Sequence, residues 1–293
     1  MKRNNIILWG DLCIDKNNLD GQEVNGPGGS VFYCGRTFKN LGCEVFIVSP
    51  RGSDYNDDWL EGVSIYPRIS LSGDTLLYQN CYNSKGERTL YVKSQKQAFF
   101  ADPLSFGKEF FSGIQAVIVC PIDNNISYSH IKDLKASMNK KSLFACLPQG
   151  FFRRYDKGGR VYQSQWENSE KFISFFDIII ISEQDCQNPD QNAVNWSRGG
   201  PLVIVTKAEK GCTVFEKGKR IDYPAFKAQE IIDPVGAGDV FSAAFIYSYL
   251  SYKDIEKAAV FANAAAAISL SLHVLEMNIS VEEVKELIAK RLK

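Results

Sequence analysis

Asp233-Pro234-Val235-Gly236-Ala237-Gly238-Asp239 runs directly into Val240-Phe241-Ser242-Ala243-Ala244-Phe245-Ile246-Tyr247. This is a glycine-rich turn opening a helix. The first turn of a helix leaves backbone N–H groups unpaired, and the macrodipole adds about half a positive charge, so Gly236, Ala237 and Gly238 form an anion site. The residues that follow are apolar almost all round, which predicts a buried helix. A carboxylate at the start of a buried helix is costly unless its charge is used, which singles out Asp239. With a transferring phosphoryl group on the amides of residues 236–238, Asp239 is placed to take the proton of an attacking hydroxyl.

The rest of the chain supplies the frame for such a turn. Short apolar runs recur between helical patterns: Ile6–Trp9, Val45–Val48, Ala116–Val119, Leu143–Cys146, Ile178–Ile181 and Leu202–Val205. Near-continuous apolar runs of this length suit strands buried on both faces, so the expected fold is α/β, a doubly wound and mainly parallel sheet flanked by helices. A helix is expected from Gly28-Gly29 to Leu41-Gly42, where glycine can take the left-handed C′ conformation. Thr75 to Ser94 reads as a hairpin about a Ser84-Lys85-Gly86 turn. With Lys16 to Asn25 it is assigned to a small β-strand lid, formed by residues 16–25 and 70–95. No Pro/Ser-rich linker, charge block or repeat divides the 293 residues, so a single domain over 1–293 is expected.

Composition removes several function classes. Thirty-four basic residues balance 34 acidic ones, leaving no excess field for nucleic acid or an anionic membrane. Partners are expected to be small molecules. His130 and His273 are the two histidines, too few for a multi-His metal centre and poorly placed for a catalytic triad. Eight scattered cysteines without a CxxC suit free thiols in a reducing compartment. The apolar start, Ile6-Ile7-Leu8-Trp9, is too short for a secretory signal, and Ala258 to Leu272 is interrupted by Asn263 and two serines; a cytoplasmic protein is expected. Neither the Walker G-x-x-x-x-G-K-[ST] nor a G-x-G-x-x-G after the first strand is present.

Asp233-Pro-x-Gly-Ala-Gly-Asp239 with its helix resembles the carboxy-terminal signature of the phosphofructokinase-B (PfkB), or ribokinase-like, family of sugar and nucleoside kinases. The resemblance extends over nearly the whole chain. Gly28-Gly29 through Leu41-Gly42 is similar to the family's amino-terminal glycine pair and helix, and Gly10-Asp11-Leu12-Cys13-Ile14-Asp15 to its early Gly-x-x-x-x-Asp. It implies that Asp15, Gly28 and Gly29 contact the acceptor. Ile181-Ser182-Glu183-Gln184-Asp185 stands at the place of an Asn-x-x-Glu motif, which implies Mg2+ near Asp185, held through water. Thr206-Lys207-Ala208-Glu209-Lys210-Gly211 stands at the place of Thr-x-Gly-x-x-Gly, and Phe261-Ala262-Asn263 on the helix beside adenine, so Thr206, Gly211 and Asn263 are implied nucleotide contacts.

Five positions depart from the family pattern: Tyr33 for Asn, Ser182 for Asn, Asp185 for Glu, Ala208 for Gly and Leu147 for Asp. Tyr33 argues against a ribose-like pocket. Gln149-Gly150-Phe151-Phe152-Arg153, with Gly86-Glu87-Arg88, resembles a branch that includes myo-inositol kinase-like members. Arg88 and Arg153 are left outside the core site, because an exposed arginine is usually solvated. The family implies ATP and Mg2+ as cofactors, with K+ beside Asp233, and an ATP-dependent transfer to a sugar or polyol hydroxyl with Asp239 as general base. A nucleoside kinase using Tyr33, Tyr78 or Tyr91 against a base is the first alternative. A catalytically degenerate ligand-binding protein is the second. The exposed edge of the lid is a candidate homodimer contact.

Overall fold

The computed structural model describes residues 3–19, 22–70, 73–82, 88–93 and 101–291. The chain begins with β1 (Asn5–Gly10), β2 (Cys13–Leu19), β3 (Gln22–Gly28), α1 (Ser30–Asn40), β4 (Glu44–Val48), β5 (Ser64–Tyr66), β6 (Leu76–Tyr82) and β7 (Arg88–Val92). It continues with β8 (Ala116–Cys120), α2 (Tyr128–Ser137), β9 (Leu143–Cys146), β10 (Arg153–Tyr155), β11 (Val161–Gln163), α3 (Ser169–Ile173), β12 (Ile178–Ser182) and α4 (Pro189–Arg198). β13 (Leu202–Thr206), β14 (Cys212–Glu216), β15 (Lys219–Tyr223), α5 (Ala237–Tyr252), α6 (Ile255–Ser269) and α7 (Val281–Arg291) complete it.

All six apolar runs become strands of one sheet, ordered β15-β14-β13-β12-β9-β8-β1-β4-β5. Pairing is parallel from β13 to β5, while β14 and β15 close one edge antiparallel. The two-residue alternation of a strand then divides its side chains between two layers. Ile6 and Leu8 of β1 face a core shared with α1, α5, α6 and α7, whereas Ile7 and Trp9 face one shared with α2, α3 and α4. The doubly wound parallel fold expected from the runs is therefore present, with β5, β14 and β15 as strands the runs did not announce. All eight cysteines are free thiols, and no described helix is long and apolar enough to cross a membrane.

The chain winds from β1 outward through β4 and β5, then returns across β1 to β8, β9, β12 and β13. Connections therefore part between β1 and β8, and this switch point opens a crevice at the strands' carboxyl ends. Asp11, just past β1, bolts the two sides together. Its buried carboxylate accepts from Ile122 N (3.0 Å), Asp123 N (3.4 Å) and Asn125 Nδ2 (2.8 Å), all in the loop after β8. Beside the crevice lies a second sheet, β3-β2-β6-β7, over a small core of Cys13, Tyr78, Val92 and Ile122. The expected hairpin strands pair there antiparallel; its Ser84–Gly86 turn lies outside the described residues, as do parts of the 16–25 and 70–95 segments.

α5 packs into the main core. Val240, Phe241 and Ser242 to Ile246 are buried, and Phe245 is fully shielded between sheet and α6. Because this helix positions the residues at its own start, its packing carries function as well as stability. Phe245→Ala is expected to cost about 3–5 kcal/mol, the usual penalty for emptying a phenylalanine site in a tight core, read as a lower urea midpoint at unchanged m-value.

Candidate active site

Two helix N-termini meet at the crevice, where Asp239 of α5 is hydrogen-bonded to Ser30 of α1. α1 starts behind Gly29, whose φ of 91° lies in the left-handed region, and a Cβ there would stand 2.5 Å from Asp11 O. α5 starts behind Gly236 at φ 78°, where a Cβ would fall 2.2 Å from Cδ1 of Tyr33. Both positions need glycine for conformation and for space. The preceding turn is shaped by Asp233, whose carboxylate accepts from Val235 N at 2.9 Å. Val240 N returns to Gly236 O at 2.9 Å, so the helix ladder begins with its first amides turned to the crevice.

Asp239 sits in that first turn and is partly buried. Burial is the main reason its carboxyl is raised to about 6; a hydrogen bond with Ser30, the first residue of α1, opposes the rise, while Asp185 adds to it, Arg153 opposes it and Asp15 adds to it. Thus one carboxylate is within reach of groups that follow β1, β9 and β12 and of the start of α1. Asp15, on β2, lies under Gly28: a Cβ on that glycine would be 2.4 Å from the Asp15 carboxylate. Asp185 closes the loop after β12 by accepting from Ser182 N at 2.8 Å. Burial raises its carboxyl, against the pull of Ser182 N, Arg153 and Gln149.

Thr206, Gly211 and Asn263 form a separate neighbourhood along the same sheet end. Thr206 ends β13 and its carbonyl accepts from Glu183 N at 2.9 Å, which joins this neighbourhood to the Asp185 loop. Lys207 N donates to Gly211 O at 2.7 Å across the β13–β14 turn. Asn263 is buried on α6 and donates from Nδ2 to Tyr223 O (3.4 Å) and Cys212 Sγ (3.6 Å). Ala208 adopts φ 47° in this turn, the left-handed conformation that the corresponding glycine would take without a Cβ penalty. Lys207 is paired with Asp190 at 2.7 Å.

Among the described residues no group of three or more His, Cys, Asp or Glu is arranged to hold a metal ion. Magnesium is ordinarily held by one or two carboxylates together with substrate phosphates and water. The oxygen-only pair of Asp185 and Asp239, each raised by burial and close enough for Asp185 to push Asp239 further, has the donor chemistry for that partial site.

Residues 179–275, which include Asp185, Thr206, Gly211, Asp233 and Asp239, match the family described as pfkB family carbohydrate kinase. A cytidine kinase of Thermococcus kodakarensis is 24% identical over 265 residues, covering 86% of this chain and 91% of that one. A pyrophosphate-dependent kinase of the ribokinase family, solved with a pyrophosphate analog and myo-inositol, shares the fold at a TM-score of 0.74 and 21% identity, covering 90% of this chain and 94% of that one. Arabidopsis thaliana ribokinase, solved with ribose and ATP, shares it at 0.76 and 17% identity, covering 98% and 99%. The chain is a phosphotransferase with an alcohol group as acceptor, within the carbohydrate and nucleoside kinase class.

Two residues at the crevice were not placed there by sequence reasoning. Arg153, set aside as a surface arginine, donates from Nη1 to Ile122 O at 3.1 Å, lies with its guanidinium 5.6 Å from the Tyr78 ring centre, and acts on both Asp185 and Asp239. Its signal was Gln149 four residues earlier, since Gln149 bonds Asp185 and the two arrive on one turn. Ser30 is the other; its signal was its position directly after the glycine pair. The Arg88 side chain lies outside the described residues. Of the tyrosines considered for stacking, Tyr78 is buried with its hydroxyl on Ile122 O at 3.0 Å, and Tyr91 lies under Lys93 Nζ at 5.1 Å.

The raised Asp239 carboxyl has a stability consequence of definite sign. A carboxyl whose folded value is about 6 binds its proton more tightly in the folded than in the unfolded chain, whose value is near 3.8, so its ionisation opposes folding increasingly from pH 4 to 6 and fully above. Asp239→Asn is therefore expected to raise the melting temperature at pH 8, with the gain shrinking towards pH 4. Thermal melts of both proteins across that range check it.

Proposed function

We propose that the protein transfers the γ-phosphoryl group of ATP to a hydroxyl of a small sugar or polyol, with Asp239 as general base. The observation that carries this reading is the pairing of the Asp239 carboxylate, hydrogen-bonded to Ser30 at the start of α1, with the glycine-opened N-terminus of α5. The acceptor would lie between Asp15, Gly28, Gly29 and Asp239. Its hydroxyl oxygen would form the new bond to phosphorus as the bond to the bridging oxygen of ADP breaks, and the hydroxyl proton would pass to the Asp239 carboxylate. The amides of Gly236, Ala237 and Gly238 would receive the equatorial oxygens, which is where preorganised donors act most strongly. Thr206, Gly211 and Asn263 would line the nucleotide side, Asn263 by fixing the Tyr223 carbonyl beside Gly211.

Asp185 would hold Mg2+ through water, and that cation would supply charge neutralisation at the phosphates. Arg153 would orient Asp185 and offset the repulsion between the carboxylates. A potassium ion beside Asp233 belongs to the same proposal. A nucleoside acceptor is the second reading, favoured by the cytidine kinase that matches over most of the chain. The donor named for one neighbour, pyrophosphate, makes it the necessary comparison with ATP.

Purified protein with Mg2+ and either ATP or pyrophosphate, offered myo-inositol, ribose, fructose and common nucleosides, tests the reading. Turnover with ATP and a polyol or sugar is expected, falling at least ~100-fold in Asp239→Asn. Equal turnover in both proteins would remove Asp239 from the reaction. Saturable nucleotide binding with no transfer above the Asp239→Asn control would identify a binding protein instead. Since the base works only when ionised, kcat/KM should rise with pH through about 6 and level above it. A profile flat from pH 5 to 8 would contradict that assignment.

A further inference from the structure

Tyr33 stands between the two halves of the site just described. It projects from α1 and is only 4% exposed. Its ring lies against the backbone of Gly236, so close that Cδ1, Cε1 and Cγ all fall within 2.5 Å of where a Cβ on that glycine would be. The glycine at the head of α5 therefore serves the turn and also makes room for a ring. Phe32 holds the ring's neighbour side edge-on at 5.2 Å between centroids, and Thr37 Oγ1 ties the Tyr33 carbonyl at 2.8 Å, so the side chain leaves a firmly held backbone.

What surrounds the phenol is acidic. Burial, then the charges of Asp15, Asp233 and Asp239, all oppose its ionisation, so the hydroxyl stays protonated and can only offer a hydrogen bond as a neutral group. Asp15 and Asp239 are the residues between which the acceptor would lie. A buried aromatic ring reaching the field of both occupies space on the acceptor side of the anion turn.

The geometry points to Tyr33 as the residue that sets acceptor size, its ring narrowing the space between Asp15 and the Gly236 turn to that of a single-ring polyol and its hydroxyl donating to one acceptor oxygen. The inference rests on the proposal that the acceptor sits between Asp15 and Asp239. It excludes a nucleoside by bulk, because the second ring would have to enter the volume that the phenol fills. A ring face is also a suitable wall for the C–H face of a cyclic polyol.

Two variants test it, with myo-inositol and cytidine as acceptors and the preferred donor at saturation. Tyr33→Ala opens the space: the ratio of kcat/KM for myo-inositol to that for cytidine is expected to fall at least ~10-fold, with donor KM unchanged. Tyr33→Phe keeps the ring: KM for myo-inositol should rise about 3- to 10-fold for the lost hydrogen bond, and cytidine should stay excluded. An unchanged ratio in a Tyr33→Ala protein of normal circular dichroism would overturn the inference. So would an effect confined to donor KM, which would make Tyr33 a support for the anion turn. If Tyr33→Ala does not fold, Tyr33→Leu, which removes the ring but keeps a buried side chain, takes its place with the same expected fall in the ratio and the same overturning result. Should wild type transfer to neither acceptor, the proposed reaction itself has failed, and titration calorimetry still reads Tyr33: cytidine binding that is tighter in Tyr33→Ala supports the size limit, and equal affinity in both proteins refutes it.

Discussion

Asp11 has surrendered water in order to accept three hydrogen bonds from the far side of the switch point, and the geometry of the crevice follows from that exchange. Burial lifts its carboxyl to about 6, with the Asn125 amide as the chief opposing contact, so near neutral pH it is an internal charge spread over donors. The same short loop that donates to Asp11 has its Ile122 carbonyl turned the other way, towards the Tyr78 hydroxyl and Arg153 Nη1. One loop thus sets the end of β1, the seat of the second sheet and the position of the guanidinium that acts on Asp239 and Asp185. Removing any donor or acceptor in such a buried network leaves its partner unsatisfied, which costs more than the bond itself contributes.

The site is built under electrostatic tension. Asp185 and Asp15 both oppose the ionisation of Asp239, and the contacts that relieve the burial of these acids are few: Ser30 at Asp239, Ser182 N and Gln149 at Asp185, and Arg153 acting on both. A fold selected for stability alone would not gather three carboxylates at the end of a sheet. Burial first, and then the neighbouring carboxylates, raise the proton affinity of Asp239 into the range where a carboxylate is an effective base near neutral pH. The neighbourhood of Thr206, Gly211 and Asn263 is calmer. There the charged side chains are paired, Lys207 and Arg220 with Asp190, and Asn263 is engaged with backbone.

The parallel sheet was legible because strands buried on both faces must be apolar throughout, and Ile178–Ile181 or Ala116–Val119 have no other economical reading. The edge strands β14 and β15 were not, since β15 is largely exposed and its Lys219-Arg220-Ile221-Asp222-Tyr223 alternates weakly. At the site, Asp239 and the residues of the glycine turn were readable from local chemistry, because helix starts and glycine turns are local objects. Arg153 and Gln149 were not, because their meaning lies in what β12 and α5 bring to them from elsewhere in the chain. An arginine's sequence neighbours say little about whether it meets water or three carboxylates. Tyr33 shows the same limit, for nothing within α1 announces that its ring will rest on a glycine two hundred residues away.

α5 joins the chemistry to the centre of the molecule. Most enzymes mount reactive groups on loops that can open while the scaffold stays intact. Here the proposed base lies nearly two turns from Phe245 and Ile246, on a helix whose residues 240–246 are buried in the core shared with the sheet, α1 and α6. Opening the turns around Phe245 and Ile246 exposes the main core, so the amide protons there should exchange only with the slowest class in the protein. Asp239 therefore has almost no private motion: it is lost when the fold is lost, and inactivation by heat becomes a report on the core rather than on a loop.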